Sequence, residues 1–188
     1  MKPKSLLALL PCLLAACAVT PFAGPPDTAQ VPPGVFGSNG DNDIAGIELA
    51  AWAFALPSRT HGRPADAAQA SASVDYLAGQ LSNSPRWAAM DSITKQQMLQ
   101  ARGDLRKIIG VAPGMPSQRV VNALLAASGA LRAGDEAAAI AALSPPVFTR
   151  PGAETLQSLN DLPYLQMANL ATSSAQAQEF PGNLNRNR

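Results

Sequence analysis

Between residues 41 and 174 the chain is a series of alanine-rich segments separated by proline and glycine, and this pattern most constrains its fold. Alanine is the best helix former and is depleted in strands. The two best candidates for strands, residues 119–121 and 146–149, are too short or flanked by proline. We therefore predict an all-α fold, an irregular bundle of about five to seven short helices.

Proline, glycine and capping residues predict where these helices begin and end. Apolar residues that step by three and four mark the buried face of each helix, as in the second one. That stripe consists of Ala67, Ala70, Val74, Leu77 and Leu81. The predicted helices span residues 41–56, 65–81, 92–109, 117–133, 136–143, 153–160 and 163–174.

The first predicted helix is apolar on nearly every face from Ile44 to Leu56. Such a helix lies at the centre of a fold or is covered by a partner. It is too short to span a bilayer, which needs about 20 apolar residues. We therefore predict that it is the buried central helix, with Ile47 and Trp52 in the core.

The first seventeen residues have the parts of a secretory signal. Two lysines make a basic start, residues 5–16 are almost entirely apolar, and small residues precede a cysteine. This N-terminal stretch ends in Leu14, Ala15, Ala16 and Cys17. They resemble the lipobox of bacterial lipoproteins, which implies that residues 1–16 are removed as a signal peptide and that Cys17 is lipidated. The alternative is an ordinary secretory signal, because residues 16–18 also form an A-x-A site.

The resemblance also implies a location and an organisation for the chain. Ala18 rather than aspartate follows Cys17, as in diderm lipoproteins sorted to the outer membrane, so we expect a lipid anchor at its periplasmic face. A soluble periplasmic or secreted protein is the alternative. Residues 17–40 are predicted to be a linker rich in proline and glycine, able to extend roughly 70 Å. Alternatively, Phe22, Val35 and Phe36 could pack back onto the domain. A helical domain at residues 41–174 and a disordered polar tail at residues 175–188 complete the prediction.

Charge and cysteine content exclude several classes of protein. Removing the signal takes Lys2 and Lys4 from the 14 basic side chains and leaves 12, against 13 acidic ones. That balance lacks the clustered basic excess of a nucleic-acid-binding domain. Cys12 leaves with the signal, so the helical domain has no free cysteine and a single histidine, too few for the usual zinc ligands. We expect no nucleic acid partner, no metal and no cofactor.

No pattern of catalytic residues stands out. His61 is the only histidine, and no Gly-x-Ser-x-Gly sequence accompanies it. The acidic residues at positions 41 and 43 are predicted to cap the first helix. Four basic residues of the third helix are predicted to form a solvated face, with contact to acidic headgroups or a partner as the alternative. They are Lys95, Arg102, Arg106 and Lys107. We therefore expect a protein that is not an enzyme.

The expected function is that of an interaction or assembly module at the cell envelope, anchored in the membrane and bound to a protein partner. One alternative is a hydrolase of cell-wall material that uses two carboxylates distant in sequence. Another is a carrier of a hydrophobic ligand. An apolar groove without titratable groups would favour the module. A deep cleft with two facing acids would favour the hydrolase, and an enclosed apolar cavity would favour the carrier.

Overall fold

Seven α-helices, two short 3₁₀ helices at Pro57–Arg59 and Pro85–Trp87, and no strand make up the regular structure of the described residues, which confirms the all-α prediction. The computed structural model describes residues 26–38 and 40–179. The helices are α1 Asn42–Ala55, α2 Pro64–Asn83, α3 Ser92–Ile109, α4 Ser117–Arg132, α5 Glu136–Ala142, α6 Gly152–Asn160 and α7 Gln166–Glu179. Among these residues, no helix is long and apolar enough to cross a membrane.

Capping side chains fix the starts of three helices where the sequence suggested them. The Asp41 carboxylate accepts hydrogen bonds from the backbone N–H groups of Asp43 and Ile44, as an N-cap does. Asp91 and Asp135 cap α3 and α5 in the same way. Gly110 ends α3 with φ of 73°, a left-handed conformation that favours glycine.

The central helix of the fold is α2, and the prediction that the first helix would be central is wrong. Helix α2 packs against α1, α3, α4 and α6. Its predicted stripe is fully buried, and so are small residues on its other faces, such as Ala68, Ala72 and Ala78. Small side chains let neighbouring helices approach from every side, so an alanine-rich and serine-rich helix becomes the most enclosed one.

Helix α1 lies at the edge of the bundle, between α2 and α7. Ile47 is fully buried, as predicted, but 44% of Trp52 is exposed. Its ring is covered on one side by the Arg59 guanidinium, 5.1 Å from the ring centroid. Apolar residues on every face therefore did not mean burial on every face, because within the described residues α1 packs mainly against two α-helices, α2 and α7.

The remaining helices surround this pair. Helix α4 runs back along α2 in the opposite direction, so that the Ser128 hydroxyl donates to the carbonyl of Ala65. Helix α5 packs on α4 and α6, and α7 packs on α1 and α3. Asn169 of α7 donates to the last turn of α1 at the carbonyl of Phe54. The bundle has α2 at its core, with α4 on one side and α1, α3 and α7 on the other.

Residues 26–38, called here the N-terminal segment, pack along α2, although residues 17–40 were predicted to be a linker. Ala29 is 1% and Phe36 is 5% exposed. Side chains of α2 hold the segment, since Gln80 donates to the carbonyl of Ala29 and Gln69 to that of Val35. The packing of Phe36 that the sequence left open is what the structure has. Apolar residues between the prolines bury enough surface to join this segment to the core.

Helix α7 extends to Glu179, so residues 175–179 are helical where a disordered tail was predicted. Ala175 is fully buried, and the Gln178 amide donates to the Thr94 hydroxyl of α3. Polar composition alone suggested a tail, but one buried face suffices to hold a helix. Residues 180–188 of the predicted tail lie outside the described residues.

Candidate functional site

An open apolar groove of about 580 Å³ lies between α3 and the start of α7. Residues 100–108 of α3 form one wall, and residues 164–170 form the other. The lining residues are Gln100, Ala101, Asp104, Leu105, Lys107, Ile108, Tyr164, Leu165, Gln166, Met167, Ala168 and Leu170. Its volume falls within the usual range of about 300–1,000 Å³ for binding sites in proteins.

Helical spacing and a proline produce this groove. On α3 the steps of three and four bring Ala101, Leu105 and Ile108 onto one face. Pro163 lies in the loop before α7, so residues 161–165 form a loop where a helix from residue 163 was predicted. The loop places Tyr164, 53% exposed, at the rim. Leu170 of α7, 42% exposed, lies at the rim as well.

The chemistry of the groove is that of an apolar contact surface. Ala101, Leu105 and Ala168 are almost fully buried. The only charged side chains in its lining are Asp104 and Lys107, an exposed pair with 3.7 Å between carboxylate oxygen and ammonium nitrogen. A single carboxylate beside its own counter-ion does not provide the two acids that glycoside hydrolysis uses.

A buried carboxylate, Asp43, joins α1 to α2 and to the following 3₁₀ turn. Its Oδ1 accepts a hydrogen bond of 2.6 Å from the Tyr76 hydroxyl, and its Oδ2 one of 2.8 Å from the Trp87 indole N–H. Arg86 lies 3.6 Å from the same Oδ2 and covers the Trp87 ring at 4.9 Å. The sequence predicted that Asp41 and Asp43 cap the first helix. Asp41 does so, whereas Asp43 accepts hydrogen bonds from two aromatic side chains.

The charges and hydrogen bonds around Asp43, called here the Asp43 cluster, shift the pKa values of neighbouring side chains. Burial first, and then the hydrogen bond to Asp43, raise the pKa of the Tyr76 hydroxyl. The hydrogen bond from Arg86 lowers the pKa of the Asp41 carboxyl, and the same bond raises the pKa of Arg86. Tyr76 therefore stays a neutral donor and Asp41 stays charged, which keeps this end of α1 attached to the Pro85–Trp87 turn.

A second ionic group, the Asp27 cluster, fastens the N-terminal segment to α3 and α4. The Asp27 carboxylate accepts hydrogen bonds of 2.7 Å from the Ser117 backbone N–H, 3.0 Å from the Ser117 hydroxyl and 3.2 Å from Arg102. The carboxylate thereby serves as the missing cap of α4, whose own N-cap residue is Pro116. Arg106 bridges this cluster to α2 with two hydrogen bonds, of 2.6 and 2.7 Å, to the buried Asp75 carboxylate.

Arg102 and Arg106 do not form the solvated basic face that was predicted for the third helix. Their side chains are 17% and 18% exposed and lie against acidic partners. Burial disfavours the charged form of Arg106, but the hydrogen bond and charge of Asp75, together with Asp27, raise its pKa. The sequence carried no signal for these pairings, because Asp27 and Asp75 are 75 and 31 residues away from their arginines.

Of the residues singled out from the sequence, Lys107 lines this groove, whereas Cys17 and His61 are not among its lining residues. The predicted lipidation site, Cys17, lies outside the described residues. His61 is exposed in the loop before α2. Among the described residues, no three histidine, cysteine or acidic side chains are grouped so that they could hold a metal ion.

Comparisons with models of known families, with curated protein sequences and with solved structures found no match for this chain.

Proposed function

We propose that this protein is an interaction module of the bacterial cell envelope, anchored through an acylated Cys17 and binding an apolar segment of a protein partner between α3 and α7. The lipobox-like residues 14–17 support the anchor, and Ala18 supports the outer membrane, with its periplasmic face, as the location. The observation that carries the binding role is the apolar groove with Tyr164 and Leu170 exposed at its rim.

The rim residues favour a protein segment as the occupant. Exposed apolar residues grouped beside a groove are typical of interaction sites. Tyrosine is enriched at protein interfaces because its ring supplies apolar area and its hydroxyl keeps a polar partner. Covering this surface would contribute about 25 cal/mol per Å² of apolar area removed from water. The Asp104–Lys107 pair at the edge gives a partner one site for polar contact.

The two other functions have less support. A hydrolase requires two acids around one cleft, whereas Asp27, Asp43 and Asp75 are engaged in the ionic clusters away from the groove. A carrier of a hydrophobic ligand is supported by the volume of the groove but not by its open form, because carriers enclose most of their ligand. The hydrolase and the carrier each predict an experimental result that differs from the one expected for a protein-binding groove.

The test is site-specific photocrosslinking of the acylated protein in cells of its own source. A crosslinking side chain is placed at Tyr164 or Leu170, with Ile93 as the control. Ile93 is 61% exposed and lies on α3 about three turns before the centre of the groove. The proposal expects one discrete protein adduct from both groove positions and none from Ile93. Once the adduct is identified and purified, Leu170→Asp should weaken its binding at least about tenfold.

Other results would contradict the proposal. Equal adducts from Ile93 and Leu170, or none from either groove position, would remove the groove as the binding site. A co-purifying lipid that is lost in Leu170→Asp would establish the carrier instead. The anchor is tested separately: Cys17→Ser should abolish acylation, seen by intact mass, and partition with membranes. An unmodified N-terminus in the native protein would refute the lipid anchor.

A further inference from the structure

We infer that the partner fills the groove between α3 and α7 with an amphipathic helix of about two turns, and that one flank of this helix carries a basic and an acidic residue. This inference rests on the proposed function and names the chemistry of the partner at the same site. Three features of the groove support it: its shape, the main-chain groups of its walls and the charges on its rim.

The walls of the groove are two antiparallel helices. The Gln178 amide in the last turn of α7 donates to the Thr94 hydroxyl in the first turn of α3, whereas the start of α7 lies beside the second half of α3. Ala101 and Ala168 line the space between them, and each is 1% exposed. Two helices side by side leave a valley, and small residues at its floor let a third helix lie close to both. The shape of the groove therefore matches a helix laid along α3 and α7.

The length of the groove distinguishes a helix from an extended segment. The lining residues of α3 run from Gln100 to Ile108, about 12 Å at 1.5 Å per residue. An extended segment of that length has about four residues, and only every second side chain points toward the groove. A helix of that length has about eight residues and presents about three side chains on one face. A helix therefore fills a groove of about 580 Å³ better than an extended segment does.

The main-chain groups of α3 offer few partners to an extended chain. The carbonyl groups within the helix are bonded inside it, and those in its last turn have partners too. The Arg106 carbonyl accepts from the N–H of Val111, and the Ile108 carbonyl from the side chain of Arg150. An extended segment has its own N–H and C=O groups to pair, whereas a helix pairs them internally. Strand addition needs the edge of a sheet, and residues 26–38 and 40–179 form no strand.

The charges of the groove lie on one rim. Asp104 and Lys107 are on the α3 side, and the lining residues from α7 and the loop before it are uncharged. The two side chains form an exposed pair with each other at 3.7 Å, which contributes little and is readily exchanged for pairs with a partner. Because they are three residues apart, a helix along α3 meets them with a basic and an acidic residue three or four positions apart. The flank that faces α7 needs no charge.

The spacing of crosslinks measures the conformation of the bound segment. The acylated protein carries a photocrosslinking side chain at Gln100 or at Ile108 in cells of its own source, and mass spectrometry identifies the partner residue joined to each. A helical segment should be joined at residues about seven or eight apart, and an extended one at residues about three or four apart. Ile93, which lies on α3 outside the lining of the groove, should give no adduct.

Charge reversal tests the flank of the partner helix. Asp104→Lys should weaken the binding of a labelled peptide of the identified segment at least about threefold, measured by fluorescence anisotropy. Reversing the basic residue of the peptide that faces Asp104 should restore the affinity. The matched control is Lys95→Glu, which should leave the affinity unchanged because Lys95 lies on α3 outside the lining of the groove.

Other results would overturn the inference. Partner residues joined about three or four positions apart would rule out the helix and leave the groove as a binding site. An unchanged affinity in Asp104→Lys would rule out the charged flank. An adduct with a second copy of this chain or with a lipid would rule out the partner helix altogether. No adduct from Gln100 or Ile108, nor from Tyr164 or Leu170, would refute the proposed function and this inference together.

Discussion

Single residues decide how α1 is held, and the Asp43 carboxylate has the most demanding surroundings. It is 8% exposed and is the acceptor for two buried donors, the Tyr76 hydroxyl and the Trp87 indole N–H. A buried donor without an acceptor costs about 1–3 kcal/mol. The surface ion pair of Asp66 and Arg132 provides a contrast, because exposed ion pairs contribute little to the free energy of unfolding.

Asp43→Ala should therefore lower the free energy of unfolding by about 3 kcal/mol, since it leaves both donors unpaired. Asp66→Ala, the control, should lower it by less than about 1 kcal/mol. Urea unfolding followed by circular dichroism measures both values. A loss for Asp43→Ala no greater than that for Asp66→Ala would show that the buried hydrogen bonds do not hold α1.

Asp41 predicts a dependence on pH. The hydrogen bond from Arg86 lowers its pKa below the ordinary 3.8, so the unfolded state binds this proton more readily. The stabilisation is fully present above pH 3.8 and is lost as the pH falls through the lower pKa of the folded state. Asp41→Asn keeps the capping oxygen but removes the titration. The stability difference between wild type and Asp41→Asn should therefore shrink between about pH 5 and pH 2, measured by urea midpoints. A constant difference would contradict this.

The number and positions of the helices could be predicted from the sequence, but which helix is the most buried could not. Six of the seven helices begin within one residue of the predicted position, because caps, glycines and prolines are local signals. The choice of central helix failed because it took apolar residues on nearly every face to mean burial on every face. Burial of α2 depends on alanine, serine and glycine, whose contribution is close approach rather than apolar area. Its stripe was predicted correctly, but the burial of its other small residues was not predicted.

The exposure of α1 predicts unequal effects from two core candidates. Ile47→Ala should cost about 2–5 kcal/mol, because Ile47 is fully buried. Trp52→Ala should cost much less than the roughly 3–5 kcal/mol of a buried tryptophan, since 44% of Trp52 is exposed. Thermal melting of the two variants distinguishes these cases. Equal losses would mean that α1 is as central as its composition suggests.

The contact of the N-terminal segment with α2 predicts opposite signs for two Gly→Ala changes. Gly79→Ala places a methyl group 2.6 Å from the Asp27 carbonyl oxygen, so the segment must shift, at a cost of about 1–3 kcal/mol. Gly129→Ala in α4 meets no atom within 4 Å and should stabilise the protein by about 0.5–1 kcal/mol. Melting temperatures should move down for the first and up for the second. A rise for both would mean that the segment is not fixed on α2.

For the whole molecule, the sequence predicted the fold class, whereas the groove and the two ionic clusters required the structure. An apolar groove forms between elements distant in sequence, here residues 100–108 and 164–170. Neither Tyr164 nor Leu170 differs in the sequence from an ordinary rim or core residue. The linker was misjudged at residues 26–38 because proline and glycine indicate an irregular backbone, which is compatible with close packing. Only the contacts of Ala29 and Phe36 distinguish a packed irregular segment from a free one.

Chains that start at different residues test whether the N-terminal segment belongs to the folded unit. A chain that starts at Pro26 keeps the Asp27 cluster, whereas one that starts at Gly40 loses it together with the buried ring of Phe36. Removing a buried phenylalanine alone costs about 3–5 kcal/mol. The shorter chain should therefore unfold at a clearly lower urea concentration. Identical urea midpoints for the two chains would mean that residues 26–38 are a free linker and not part of the folded unit.

The Asp27 cluster also has a mechanical consequence. A pull on the chain at Pro26 first loads the ion pair with Arg102 and the hydrogen bonds with Ser117, and Arg106 passes that load on to Asp75 in α2. The force is thus shared among three helices before any of it reaches the packed ring of Phe36 or the cap of α1. A pull through the proposed anchor would be resisted by these polar contacts, which can reform after they open, and the apolar core behind them would stay unstrained.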